Sequence, residues 1–347
     1  MVFNLLFTCK SKVMKKYLTL VGIDVSKSHL DCHVIAGDSE EHRRFENTKS
    51  GIPALIKHAS SAQSCHPSKV LFCMEHTGVY AMPLCNELAE QKLDYALVPA
   101  IEIKRSMGLK RGKNDKADAK AIARYALLHQ DEIKLYSLPE KALLKLKLML
   151  SHRERLVETR KVFMVAANET ESFLEKDICK EVITDSNRMV HHINKKIEKI
   201  EKSIIEVINS DQELKKTYDL VTSVPGVGMQ IALSLIVTTG CFSAFRESRK
   251  LACYAGVAPF EYRSGSSIRG RTKVSHMANK KVKSLLHMGA IVAIRYDKQL
   301  KEYYDRKVQE GKNAMCVINA VRNKLLARIF AVVNRGTPFV SLNQHIA

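Results

Sequence analysis

Apolar residues arrive in two rhythms along this chain. Between Tyr17 and Asp24 they form a short run (Leu18, Leu20, Val21, Ile23), which predicts a buried strand. His29–Ala36 alternates and predicts a second strand, and Glu41–Glu46 is a candidate third. A helix over Gly51–Ala59 follows, then a buried strand over Lys69–Met74, a helix over Val79–Gln91 and a strand over Tyr95–Pro99. Asn114–Leu128 reads as a helix with Asn114 as a good cap. Three leading strands suggest an antiparallel meander, and the later alternation suggests parallel strands joined by helical crossovers.

The second rhythm is purely helical. From Leu138 to Leu220 strand signals are few and glycine is absent. Val190, Ile193, Ile197, Ile200, Ile204 and Val207 follow a 3, 4, 3, 4, 3 spacing, a heptad seam with Lys195, Lys196, Glu198, Lys199 and Glu201 on the other faces. Such a seam either pairs subunits as a coiled coil or packs as an amphipathic helix inside one subunit. Val221 to about Val340 is mostly helical by pattern, with a polar loop at Arg263–Gly270. The expected organisation is an α/β RNase H-like domain over 14–130, a helical or coiled-coil linker over 131–215 and a mostly α C-terminal domain over 216–347. Met1–Val13 reads as a disordered extension or a mis-called start. Leu5-Leu6-Phe7 is too short for a signal core, and Met14 stands where a chain would normally begin.

Charge narrows the class. A formal +20 over 347 residues repels itself unless an anionic partner offsets it, and a polyphosphate is the commonest such partner. Nine cysteines, an odd count with no CxxC and several in apolar runs, read as free thiols of a reducing cytoplasm rather than a disulfide frame or zinc site. No apolar stretch reaches the ~18 to 20 residues of a membrane span.

Against this basic background four acids stand out. Asp24 and Glu75 each end an apolar strand, where a carboxylate is costly to bury without a counter-charge. Asp115 and Asp118 lie three apart in the first turn of a predicted helix, and Ile122 and Tyr125 continue their row, so both face the domain body. Each acid has a bland reading as a turn residue or as a complement to the helix dipole. Lys110, Arg111, Lys113, Lys116 and Lys120 could also pair with the two helix acids. Two acids from strand ends and two from one helix face are more specific together. Such hard oxygen donors suit two Mg²⁺ ions about 3.5–4 Å apart at a phosphodiester, with Lys110, Arg111 and Lys113 left to hold a nucleic-acid backbone.

The C-terminal part offers different chemistry. Pro225-Gly226-Val227-Gly228 has the form of a helix-hairpin-helix turn, in which Gly226 and Gly228 would admit a phosphate to the following helix; a plain glycine turn is the alternative. From Tyr262 to Tyr296 there is no acid, while Arg263, Arg269, Arg271, Lys273, Lys280 and Lys281 recur. That one-sided run favours a phosphate-contacting surface. Ser264-Gly265-Ser266-Ser267 sits inside it. From composition alone these serines are turn formers; a nucleophilic one would need an activator and the charge of Arg263, Arg269 and Arg271.

These segments resemble the insertion-sequence one-ten transposases, also called DEDD transposases and related to the Piv DNA invertases. Gly22-Ile23-Asp24-Val25-Ser26-Lys27, Glu75-His76-Thr77-Gly78-Val79-Tyr80 and Asn114-Asp115-Lys116-Ala117-Asp118-Ala119 look like the family's acidic motifs. Pro225-Gly226-Val227-Gly228, Gly256-Val257-Ala258-Pro259 and Ser264-Gly265-Ser266-Ser267 look like its C-terminal domain. The resemblance implies a RuvC-like domain holding Mg²⁺ through Asp24, Glu75, Asp115 and Asp118, with Ser264 aligned to the nucleophile and Ser266 and Ser267 close by. It also implies a nucleoid-associated cytoplasmic enzyme that moves an insertion sequence. Its partners would be element-end and target DNA, an element-encoded guide RNA and a second copy or more of itself, as dimer or tetramer. The alternative is a metal-dependent nuclease or junction resolvase without covalent catalysis. A non-enzymatic nucleic-acid-binding protein would keep the charge and leave the four acids without a purpose.

Overall fold

The structure is a computed structural model that describes residues 17–61, 67–106, 114–264, 268–274 and 277–341. It divides into two compact units between Pro139 and Glu140.

The first unit is built on five strands: β1 (Thr19–Val25), β2 (His29–Ala36), β3 (Ser39–Glu46), β4 (Val70–Glu75) and β5 (Asp94–Val98). Their spatial order is β3-β2-β1-β4-β5. The pairs β1/β2 and β2/β3 are antiparallel, whereas β4 lies parallel to both β1 and β5. This is the expected meander followed by crossovers. The helices are α1 (Gly51–Ser61), α2 (Met82–Glu90), α3 (Ala100–Ser106) and α4 (Asp115–His129). The expected helix over Val79–Gln91 opens instead with a 3₁₀ turn, Gly78–Ala81, before α2. Helix α3 goes unforeseen; seven residues are too short for an amphipathic period to declare itself.

Both sheet faces are covered, which is why β1 and β4 read as continuous apolar runs. On one face Ile23, Leu30, Phe72 and Met74 pack with Leu55 of α1 and with Leu84 and Leu88 of α2. On the other, Leu20, Ile35, Leu71 and Cys73 pack with Ile122, Ala123 and Ala126 of α4. Helix α4 lies directly on β1. A Cβ placed on Gly22 would come within 2.2 Å of the Ala123 backbone nitrogen and 2.3 Å of the Ala119 carbonyl oxygen. Lys120 and Arg124 of the same helix pair with Glu40 of β3, which fixes α4 across the strands.

The second unit begins with a helical hairpin, α5 (Lys141–Phe173) and α6 (Lys176–Asn209). Arg153 bonds Glu201 at 2.6 Å and Arg160 bonds Asn194 at 2.9 Å, so the helices run antiparallel. The heptad residues Ile193, Ile197, Ile204 and Val207 are buried, and α6 packs along α5 of its own chain. Of the two readings of the seam, this arrangement fits packing within one subunit.

Beyond the hairpin come α7 (Gln212–Thr222), α8 (Met229–Thr239), α9 (Ser248–Tyr254), strands β6 (Pro259–Ser264) and β7 (Ile268–Val274), then α10 (Lys280–Tyr296), α11 (Lys298–Gln309) and α12 (Ala314–Arg335). Of the expected polar loop at Arg263–Gly270, Arg263 and Ser264 instead lie in β6 and Ile268–Gly270 in β7, which pair antiparallel. The segment's one-sided charge hides the alternation that would have announced strands. The turn between α7 and α8 is pinned to α10. Gly226 has φ +88°, and a Cβ there would lie 2.5 Å from the Gly289 carbonyl oxygen and 2.7 Å from the Ala293 Cβ.

Gly22→Ala is expected to cost about 1–3 kcal/mol by overpacking against helix backbone, which cannot swing aside as a side chain would. Gly226→Ala is expected to cost at least as much, since a left-handed φ adds about 1 kcal/mol to the clash. Urea unfolding of each variant against the parent protein measures both.

Candidate active site

Backbone register builds the site. Asp24 of β1 lies directly opposite Asp31 of β2, and Asp31 lies opposite Arg44 of β3. On the other side of β1, Ile23 pairs with Met74. The next residues along these parallel strands are Asp24 and Glu75. Cross-strand neighbours share a face, and this one faces α4, as the packing of Leu20, Ile35 and Cys73 against that helix shows. One row across the sheet thus reads Glu75, Asp24, Asp31, Arg44. It lies at the carboxyl ends of the parallel strands β1 and β4, where open α/β sheets place ligands.

Helix α4 brings the other two acids. Its cap is the expected one: the Asn114 side chain accepts a hydrogen bond from the Lys116 N–H at 3.0 Å, and the Asn114 carbonyl accepts one from Asp118 N–H at 2.9 Å. The contact at Gly22 sets the helix height, so its first turn, with Asp115 and Asp118, stands over the end of β1. Asp24 registers the result. Its pKa rises from 3.8 to about 6, first through burial and then through the charges of Asp118, Asp115, Glu75 and Asp31. The structure therefore gathers all four predicted acids into one negative cluster inside a basic protein.

A fifth carboxylate, Asp31, escapes the sequence reading. It is buried and takes hydrogen bonds from Arg44 Nε, 3.1 Å from each of its oxygens, and lies 3.1 Å from His42 Nε2. Arg44 Nη2 stands 3.0 Å from Asp31 Oδ2 and 3.3 Å from Asp115 Oδ2. The signal was available: strand alternation puts Asp31 in phase with Ile35, and the short turn after Val25 sets it opposite Asp24.

The donor set fits hard divalent cations, being all oxygen and in excess of local positive charge. As the side chains stand, no three acid, histidine or cysteine groups among the described residues converge tightly enough to grip an ion. Asp24, Glu75, Asp115 and Asp118 would hold such ions.

The other predicted residues fall as follows. Lys110, Arg111, Lys113, Ser266 and Ser267 lie outside the described residues. Ser264 ends β6 opposite Ile268 of β7, and Arg263 lies opposite Arg269, with Arg271 and Lys273 further along β7. Lys280 is exposed at the start of α10. Lys281 forms an ion pair with Glu154 of α5, so an acid from another element answers part of the basic run. Gly226 is accounted for by its φ and by packing. A Cβ on Gly228, by contrast, would meet nothing within 4 Å, so the backbone there is open to approach. The acids belong to the first unit and Ser264 to the second.

Two family models match the chain. One, of the DEDD type and described as a transposase, covers residues 21–175. The other, described as the transposase IS116/IS110/IS902 family, covers 218–305. The chain is 28% identical over 335 residues to a pilin gene-inverting protein of Moraxella bovis, covering 92% of this chain and 97% of that one. It is 32% identical over 123 residues to a transposase for insertion sequence element IS1111A of Coxiella burnetii, covering 33% of this chain and 32% of that one. Among solved structures, T. thermophilus RuvC in complex with Holliday junction substrate aligns with 34% of this chain and 99% of that one, at 12% identity and a TM-score of 0.27. All four acids lie in the first matched region, and the glycine turn and Ser264 lie in the second.

The raised pKa of Asp24 has a definite sign. Between about pH 4 and 6 the folded state binds a proton that the unfolded state releases, so stability falls as pH rises through about 6. In the metal-free protein, Asp24→Asn is expected to melt a few degrees higher than the parent at pH 7.5, with the difference vanishing near pH 4. Thermal melts in a chelator across that range check it.

Proposed function

The chain belongs to the IS116/IS110/IS902 transposase family, and from that premise we propose that it is a DNA recombination enzyme that cuts and rejoins strands with Ser264 as nucleophile and the four-acid cluster as its Mg²⁺ site. The observation that carries the reading is the gathering of Asp24, Glu75, Asp115 and Asp118, two from strand ends and two from one helix turn, with a raised Asp24 pKa as their signature.

Chemically, the Ser264 hydroxyl oxygen forms a bond to a DNA phosphorus while the bond from phosphorus to one deoxyribose oxygen breaks. The hydroxyl proton leaves the serine, and the departing oxygen is protonated as a free strand end. Attack by a different strand-end hydroxyl on the serine ester reverses the bond changes and joins new partners, releasing serine. Mg²⁺ supplies charge stabilisation of the phosphoryl oxygens when bound. Arg263, Arg269 and Arg271, which share the Ser264 hairpin, favour the anionic phosphorane-like state. The excess of 56 Lys and Arg over 36 Asp and Glu supports a long polyanionic partner such as DNA, and the same charge is compatible with the element-encoded guide RNA that the family resemblance implies. Gly228, open at the start of α8, suits close approach of a phosphate.

The site acids and the serine belong to separate units, and the function is read as that of a homo-oligomer. The tip of the α5–α6 hairpin supports this: Phe173 is 85% and Ile178 69% exposed, with Leu174 and Val182 also uncovered. No described helix is long and apolar enough to cross a membrane.

Purified protein incubated with Mg²⁺, any co-purifying RNA and element-junction DNA should give a covalent protein–DNA species on a denaturing gel. Ser264→Ala and Asp24→Asn should both abolish it. Cleavage without an adduct, unaffected by Ser264→Ala, would make this a metal nuclease instead. Ile178→Asp with Val182→Asp is expected to lower the oligomeric state seen by sedimentation at micromolar concentration.

A further inference from the structure

Asp31 and Arg44 stand in the same cross-strand row as Asp24 and Glu75, yet the scheme above gives them no task. Asp31 looks at first like a fifth metal ligand, since it faces Asp24 directly. Its bonds argue otherwise. Both carboxylate oxygens receive Arg44 Nε, Oδ2 also lies 3.0 Å from Arg44 Nη2, and His42 Nε2 sits 3.1 Å from Oδ1. The Asp31 side chain is only 5% exposed. Arg44 itself is half exposed, but losing it would strand the buried Asp31 charge, so Asp31 is committed to Arg44.

Arg44 does more than Asp31 requires. The Nη2 that serves Asp31 also reaches Asp115 Oδ2 at 3.3 Å, linking the edge strand β3 to the first turn of α4. The two halves of this bridge are unequal. The Asp31 half is shorter, forked and made to a buried carboxylate. The Asp115 half is a single longer contact, and its carboxylate is 61% exposed. When a stronger cation arrives, the Asp115 half is the one that exchanges. Mg²⁺ binds carboxylate oxygen at about 2.0–2.1 Å with twice the charge, so it outcompetes such a contact.

We propose that Arg44 is a positioning residue acting on Asp115: a counter-cation anchored on Asp31, which keeps Asp115 paired in the metal-free protein and which a divalent ion displaces to recruit Asp115 as a ligand. The inference rests on the carboxylate-site reading above. It accounts for the placement of Asp31 in the acid row with both of its carboxylate oxygens already bonded to Arg44. Displaced from Asp115, the guanidinium stays tethered to Asp31 at the margin of the site, where its charge opposes cations and favours anions. Metal loading before the anionic substrate arrives is thereby weakened.

The test measures Mn²⁺ affinity of the DNA-free, full-length protein by calorimetry or by loss of the free-ion EPR signal. Arg44→Gln is expected to tighten Mn²⁺ binding about three- to ten-fold, because a positive charge and a competitor are removed together. Asp115→Asn should weaken binding, and in the double variant the gain from Arg44→Gln should be clearly smaller than in the parent, since the competitor's target is gone and only the lost positive charge still contributes. Arg44→Lys keeps a charge but lacks the fork that spans two carboxylates, so it should tighten binding by a smaller factor. It serves as the test variant if Arg44→Gln does not fold. Unchanged or weaker Mn²⁺ binding in the folded variants, or a gain undiminished by Asp115→Asn, would overturn the proposal and leave Arg44 a structural partner of Asp31. Asp24→Asn provides the separate control. If it abolishes Mn²⁺ binding while the Arg44 variants change nothing, the metal site stands and only this inference falls. Parent binding indifferent to Asp24→Asn removes both.

Discussion

Everything at the acid site depends on how closely α4 lies on β1. The helix backbone occupies the space that a side chain at Gly22 would need, with Ala119 and Ala123 in contact. Small residues on both elements make that approach possible, and the height of the helix decides where its first turn ends up. Without this contact, Asp115 and Asp118 would be ordinary acids complementing a helix dipole. With it, they stand beside Asp24 and raise its pKa. The Asn114 cap and the pairs from Lys120 and Arg124 to Glu40 then fix the helix start and its lateral position.

The cost of this arrangement is electrostatic. Five carboxylates in one neighbourhood repel one another, and burial adds to the penalty on Asp24. The fold answers it unevenly. Asp31 is matched by Arg44 and His42, whereas Asp24 carries the raised pKa of a group left without a dedicated counter-charge. A protein with a surplus of basic residues in its sequence thus has one negative cluster around Asp24.

The second unit uses glycine for a different purpose. Gly226 lets the α7–α8 turn press against Gly289 and Ala293 of α10, so the turn is rigidly seated, while Gly228 two residues later remains open. The basic run after Tyr262 is split between a β-hairpin and the start of α10, and Glu154 of α5 neutralises part of it through Lys281.

The strands β1, β2, β4 and β5, the helix with its Asn114 cap and the four acids were legible along the chain, because each is written in local terms: an apolar run, an alternation, a capping residue, an acid at a strand end. Helix α3 and the strands β6 and β7 were not, since a seven-residue helix carries too little period and a basic run masks alternation. The seam of α6 could be read, but its partner could not, for a heptad specifies a complementary face without saying which helix provides it. Asp31 and Arg44 show the same limit within the site. Both residues are visible as letters, yet their meeting depends on strand register, and the reach of Arg44 to Asp115 depends on α4 settling onto Gly22. Residue chemistry and short-range pattern belong to the sequence by itself. Which acids end up matched, and which stay charged and available, was decided by tertiary packing, since electrostatic energy depends on distances that only the folded chain defines.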